Sequence, residues 1–179
     1  MGRLLPELTP YLIEFIQNQK LFFVATAREE GSINLSPKGL DSLRVMDPNR
    51  VLWLNLTGSG NETAIHLSHK NRITLMFCAF EGDPIILRLY GTAQVHGAGD
   101  DSYRKLISLF PEIPGGRQLI DVKIDRVQTS CGMGVPLMDY SAQRQGLVDW
   151  AAQQGDEGLK KYWKKKNQTS IDGFDHKTE

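Results

Sequence analysis

The sequence predicts a mainly β (α+β) fold: a small antiparallel β-barrel with helices packed outside it. Three observations carry this. Extended stretches rich in β-branched and aromatic residues recur from residue 21 to residue 128, each closed by Gly, Pro, Asn or Asp turn chemistry. The helical patterns between them are short. A chain of 179 residues, 40% apolar and 23% charged, can bury one core of ordinary size.

Taken in order, Thr9 is an N-cap before Pro10, and Leu12, Phe15 and Ile16 follow at helical spacing, which predicts an opening amphipathic helix. Leu21 to Ala27 and Ser32 to Ser36, separated by Arg28-Glu29-Glu30-Gly31, form one hairpin. Leu43 to Met46 and Val51 to Asn55 form a second, across Asp47-Pro48-Asn49-Arg50. Ser59, with Glu62 three residues on, reads as a capping box opening a helix through Lys70, anchored by Ile65 and Leu67. Arg72 to Phe80 and Ile85 to Val95 are apolar enough to be central strands, with a turn at Glu81-Gly82-Asp83-Pro84. Tyr103, Leu106, Ile107 and Phe110 set a helix over 100–110, stopped by Pro111, and Gln118 to Gln128 alternates as the last strand. That makes six to seven strands. Beyond Pro136 the chain turns polar and helical, with Lys160, Lys161, Lys164, Lys165 and Lys166 around Tyr162 and Trp163, a tail expected to be peripheral. We therefore expect a barrel unit over 1–138 and a helical, Lys-rich extension over 139–179.

Charge and cysteine usage narrow the partners. With 21 basic and 21 acidic residues the chain has no long-range field to gather nucleic acid or anionic lipid, so an anion must be held locally. No apolar run approaches the roughly 20 residues that cross a bilayer, and the N-terminus turns polar too early for a signal peptide. The expected location is cytoplasmic. Cys78 and Cys131 have no metal-ligand spacing and read as two reduced thiols. His66 and His69 lie three apart without a third ligand and read as a surface pair, while His96 and His176 are isolated. Asp100-Asp101 suits a helix N-terminus, and no Ser/His/Asp set or carboxylate pair supports hydrolysis.

Three segments have the composition of a binding site. Leu56-Thr57-Gly58-Ser59-Gly60-Asn61-Glu62-Thr63 runs from a strand into a helix, with glycines for close approach, side-chain donors for phosphate oxygens and the orphan N–H groups of a helix start. It lacks the lysine of a P-loop, and a plain strand-to-helix turn has the same composition. Ser36-Pro37-Lys38-Gly39 ends a strand with one lysine among small residues, a fixed cation for a phosphate or an ordinary turn lysine. Thr129 to Pro136 ends the last strand in a loop with two glycines.

Together, Ser36-Pro37-Lys38-Gly39, Trp53-Leu54-Asn55-Leu56-Thr57-Gly58-Ser59-Gly60-Asn61-Glu62-Thr63 and Arg126-Val127-Gln128-Thr129-Ser130-Cys131-Gly132 resemble the pyridoxamine 5'-phosphate oxidase-like FMN-binding split-barrel family over residues 9 to 138, most of all a bacterial branch of it. The resemblance implies a six-stranded antiparallel split β-barrel, paired as a homodimer with FMN in clefts between the subunits. It implies that Ser36, Pro37 and Lys38 line the flavin, that Asn55, Thr57, Gly58, Ser59, Asn61 and Thr63 form the turn around its ribityl phosphate, and that Gln128, Ser130 and Cys131 close the cleft. The activity implied is flavin-mediated hydride or electron transfer between small molecules, with Lys38 favouring the anionic reduced ring.

The departures are specific. The vitamin-processing oxidases carry an Arg-Lys pair where this chain has Glu62-Thr63, and Arg-x-x-x-x-Lys where it has Ile33 to Lys38. The C-terminal tryptophan and arginine that grip pyridoxal phosphate are also missing, so oxidation of that vitamer is not the expected activity. Other branches hold a deazaflavin or haem, for which His66 or His69 would be the candidates. A flavin carrier without turnover and a nucleic-acid-binding basic tail are the non-enzymatic alternatives.

Overall fold

Period-two burial builds the sheet. In the computed structural model of the chain, which describes residues 2–176, strand β2 (Phe22–Thr26) buries Phe22, Val24 and Thr26 and turns Phe23 and Ala25 the other way. The other strands are β1 (Arg3–Leu5), β3 (Asn34–Lys38), β4 (Leu43–Asp47), β5 (Arg50–Leu56), β6 (Arg72–Cys78), β7 (Ile85–Gly97) and β8 (Gly116–Cys131). Four helices accompany them: α1 (Pro10–Asn18), α2 (Glu62–His69), α3 (Asp101–Leu106) and α4 (Gly146–Lys166). Both predicted hairpins form, β2 with β3 and β4 with β5. Helix α1 starts where the sequence says, with the Leu12 N–H donating to Thr9 Oγ1.

The antiparallel sheet runs β3-β2-β6-β7-β8-β5-β4, and β1 adds to β8 through Leu5↔Val127. β3 and β4 end the order without a ladder between them, so the barrel stays split. It curls all the same. Phe22 of β2 meets Trp53 of β5 edge-on at 6.0 Å and stacks on Phe77 of β6 at 5.8 Å, bringing strands far apart in the sheet order together across the interior. Val24, Val51, Leu75, Leu87, Leu89, Ile120 and Val127 complete that core. Truncating Trp53 to alanine there removes about 3–5 kcal/mol. A second cluster, Leu52, Leu54, Phe110 and Leu119, seats α3 and the short helical turn Ile107–Leu109 on the outer face.

Close approach dictates one glycine. The β7–β8 register shifts between Tyr90 and Gly91, and a Cβ on Gly91 would lie 1.9 Å from the Lys123 carbonyl oxygen.

Four expectations change. β1 makes an eighth strand; three residues with no apolar alternation gave no signal, and only the β8 edge orders them. Thr129, Ser130 and Cys131 belong to β8 rather than a loop, because the β7 ladder supplies backbone partners at Leu87, Ile86 and Ile85. Ser59 and Glu62 form no capping box: α2 is capped at Asn61, which places Glu62 first in the helix instead of third. The tail is not peripheral. Although Lys160, Lys161, Lys164, Lys165 and Lys166 are exposed, Ala151, Leu159, Asn167 and Ser170 are buried against the barrel. Helix α4 is two helices joined at Gly155, whose φ of 60° and ψ of 176° break the first from the second.

Candidate functional site

The curl of the sheet sets the end of β3 against the middle of β5, and two adjoining cavities open where they meet. Both have Lys38 and Gly58 in their walls. One, of about 300 Å³, is polar: Asn34, Ser36, Asn55, Ser59, Asn61, Glu62, Thr63 and Arg117 line it. Its neighbour, of about 440 Å³, is walled by Pro37, Trp53, Leu54, Leu56, Thr57, Tyr140 and Leu147. A larger cavity of about 730 Å³ beside α1 carries Glu14, Glu81, Asp83 and Asp139, a lining unsuited to an anion.

Nine predicted residues therefore meet at one place: Ser36, Pro37, Lys38, Asn55, Thr57, Gly58, Ser59, Asn61 and Thr63. Their hydrogen bonds show which are committed. Thr57 Oγ1 donates to the Gly115 carbonyl at 2.8 Å and accepts from Trp163 Nε1 at 2.8 Å, so this hydroxyl serves the scaffold. Asn34 Nδ2 donates to Thr26 Oγ1 and Thr63 Oγ1, and Ser36 Oγ donates to Asn34 Oδ1, which ties β3 to α2. The Ser59 side chain, by contrast, enters no hydrogen bond among the described residues. Gln128, Ser130 and Cys131 line neither cavity. Gln128 Oε1 accepts from the Tyr90 hydroxyl, Ser130 Oγ accepts from Arg88, and Cys131 is exposed at the far end of β8.

Charge is what distinguishes the polar cavity. The Lys38 ammonium stands 5.0 Å from the centroid of the Trp53 ring, and burial, with the Arg117 charge added, pulls its pKa from 10.5 to about 8. Arg117, only 8% exposed, passes behind the Gly58–Gly60 turn; burial lowers its pKa to about 10. Its Nη1 donates to Asn167 Oδ1 and, at 3.4 Å, to the Gly60 carbonyl, while its Nε is buried with no partner. Among the described residues, neither cation forms an ion pair. Two like charges half out of water without a counter-ion are costly as they stand, and the first turn of α2 in the same wall adds a positive dipole end. An anion entering the cavity relieves all three.

Sequence reasoning missed Arg117. It sits in Gly116-Arg117-Gln118 like any outward strand charge, and only the register Gln118↔Asn55 carries it under the turn. Reasoning also misplaced His66, which is buried rather than a surface residue: Nδ1 is 3.2 Å from Thr26 Oγ1 and Nε2 is 3.7 Å from Glu62 Oε2. His69 lies apart from it, with Nε2 3.0 Å from the Asp175 carbonyl oxygen. The Glu62 Oε1 that was to cap the helix accepts the Ile171 N–H instead, and its buried Oε2 makes no hydrogen bond.

Comparison with known proteins bears on the family and the fold. The family model described as pyridoxamine 5'-phosphate oxidase matches residues 8–131. The ustO protein of Aspergillus flavus, described as a pyridoxamine 5'-phosphate oxidase family protein, is 40% identical over 139 residues, 75% of this chain and 56% of that one. The chain thus spans little more than half the length of this curated relative. Among solved structures, a provisionally named pyridoxamine 5'-phosphate oxidase from Lactobacillus delbrueckii superposes with a TM-score of 0.55 at 20% identity, covering 69% of this chain and 94% of that one. HupZ of Group A Streptococcus gives 0.53 at 21% identity, covering 67% and 91%. A protein of Mesorhizobium loti described as FAD-binding gives 0.51 at 9% identity, covering 72% and 96%. These structures share the fold.

Proposed function

The chain belongs to the pyridoxamine 5'-phosphate oxidase family, and from that premise we propose that it is an FMN-binding oxidoreductase passing hydride or electrons between small molecules. The observation that carries the reading is the unpaired couple Lys38 and Arg117 behind the Gly58–Asn61 turn. A dianionic phosphate fits it: two cations without a counter-ion, a guanidinium nitrogen without a partner, and a helix start. The adjoining cavity, with Trp53, Leu54 and Leu56 in its wall, suits the apolar ring of the same ligand. The FAD-binding description of the Mesorhizobium loti neighbour is in keeping with a flavin.

When bound, the flavin supplies the two-electron chemistry. The chain's own residues bind and orient. Lys38 and Arg117 hold the phosphate, Ser59, Asn61 and Thr63 offer hydrogen bonds around it, Ser36 and Asn55, whose donors go to Asn34, Asn61 and Gln118, shape its wall, and Pro37 and Trp53 exclude water beside the ring. Lys38 stands at the junction of the two cavities, where its charge also favours negative charge gained by the ring. No acid–base pair is needed for that role.

The reading includes a homodimer in which a second copy closes each cleft. Gln128, Ser130 and Cys131 lie away from their own chain's cavities and are assigned to that paired surface. The split-barrel unit ends near residue 138 in this reading, with α4 and the segment after it added onto the site. No helix among the described residues is long and apolar enough to cross a membrane, and we place the protein in the cytoplasm.

An absorbance spectrum of the purified protein, followed by heat release and mass identification of its chromophore, tests the proposal. FMN at one per protomer is the expected result. A Soret band, or a colourless protein that fails to take up added FMN, overturns it.

A further inference from the structure

We infer that residues 167–175 form a clamp on the anion cavity, with Asn167 as the positioning residue that aims Arg117. The inference rests on the cavity's being the phosphate site. Asn167 follows directly after α4, is 2% exposed, and spans the gap between the cation and the turn: its Oδ1 accepts from Arg117 Nη1 and its Nδ2 donates to the Gly58 carbonyl at 3.3 Å. The other contacts of the guanidinium, to the Gly60 and Leu56 carbonyls, are both at 3.4 Å, the long limit for such bonds. Without Asn167 the guanidinium keeps only those two.

The rest of the segment is fastened both at the cavity wall, which Ile171 and Glu62 line, and at points outside it. The Ile171 N–H donates to Glu62 Oε1 at 3.1 Å, drawing that carboxylate toward the segment. Asp172 accepts from the Ser32 N–H at 2.7 Å and the Ser32 hydroxyl at 2.8 Å, which reaches the β2–β3 loop. The Phe174 ring lies 3.2 Å from the Arg28 guanidinium carbon, and a Thr169↔Asp175 bridge folds the segment back on itself.

Apart from the Phe174 ring these fastenings are hydrogen bonds, and Ile171, Asp172, Gly173 and Asp175 are exposed. A segment held that way opens at low cost compared with the barrel core. Its closed form is also the form in which Arg117 is aimed. An anion that binds the aimed guanidinium must therefore favour closure, and closure must favour the anion by the same factor. The segment lies beyond residues 8–131, so the clamp is an addition to the part of the chain that defines the family.

The test uses the full chain and two variants. N167A removes the aiming contact; D172A removes only the fastening to Ser32, on an exposed residue that does not line the cavity. FMN and riboflavin affinities are measured by calorimetry, and amide exchange of residues 167–176 is followed with and without FMN. We expect FMN to slow exchange of the Ser170, Ile171, Gly173 and Phe174 amides at least about fivefold. N167A should weaken FMN about tenfold and D172A about threefold, with riboflavin unchanged in both. If the native chain binds FMN but its exchange is unaltered and both variants bind as well as it does, the clamp is refuted and the phosphate site stands. If the native chain does not bind FMN, the site reading fails and the clamp with it.

Discussion

Replacing Lys38 by methionine should stabilise the ligand-free protein while destroying its hold on phosphate. In the folded chain the ammonium titrates at about 8 instead of 10.5, chiefly because it is buried and next because of Arg117. Below about pH 8 both folded and unfolded chains carry the proton, and the fold bears the full cost of the buried charge. Between about 8 and 10.5 the folded chain releases a proton that the unfolded chain keeps, so stability rises with pH across that window. The full change is about 3 kcal/mol, at about 1.4 kcal/mol per tenfold. Methionine removes the charge at every pH and forfeits the contact with the Trp53 ring, worth about 0.5–1 kcal/mol, which leaves a gain of about 2 kcal/mol at pH 7. For a chain of this length that is a rise in Tm of about 4–8 °C. Thermal melts of both proteins at pH 7 and pH 10.5, with and without FMN, check it. The native chain should approach K38M at high pH, and FMN should reverse their order at pH 7. A K38M protein no more stable than the native one at pH 7, or native stability flat between pH 8 and 10.5, refutes the reasoning.

Three further outcomes follow from the same geometry. R117M removes charge-assisted bonds and should weaken FMN about 10–100-fold by fluorescence titration while sparing riboflavin. E62Q deletes the one carboxylate lining the polar cavity and should tighten FMN severalfold in the same titration, since Glu62 Oε2 has no hydrogen bond to lose. G91A drives a methyl into the Lys123 carbonyl and should cost about 3 kcal/mol or more in urea denaturation, whatever the ligand.

The parts of this architecture that were legible in the sequence are those written locally. The hairpins carry their own turns, and Thr57 to Thr63 carries its glycines and donors in one unbroken string, so both could be found without a partner strand. Arg117 and Asn167 could not. Each acquires its role from a residue about 50 or more positions away: Arg117 from Asn167, and Asn167 from Gly58 as well. Register and tertiary packing decide such contacts. Glu62 shows the reverse error, a correct local pattern overruled. Its spacing from Ser59 fits a capping box, but the helix begins at Glu62 itself, with Asn61 as the N-cap, and the segment after α4 takes the carboxylate. With no third ligand near it in sequence, His66 reads with His69 as a surface pair. It is buried instead, with Nδ1 3.2 Å from Thr26 Oγ1 and Nε2 3.7 Å from Glu62 Oε2 without a hydrogen bond.

In the function proposed, Lys38 and Arg117 hold a flavin's phosphate. Titrating the ligand-free protein with FMN and with riboflavin, which differ only in that group, tests it most directly. The expected result is stoichiometric FMN binding, riboflavin weaker by at least about a hundredfold, and an FMN affinity that falls as pH rises through about 8, where Lys38 loses its proton. Equal affinity for the two ligands, or an FMN affinity indifferent to pH between 7 and 9, would contradict it.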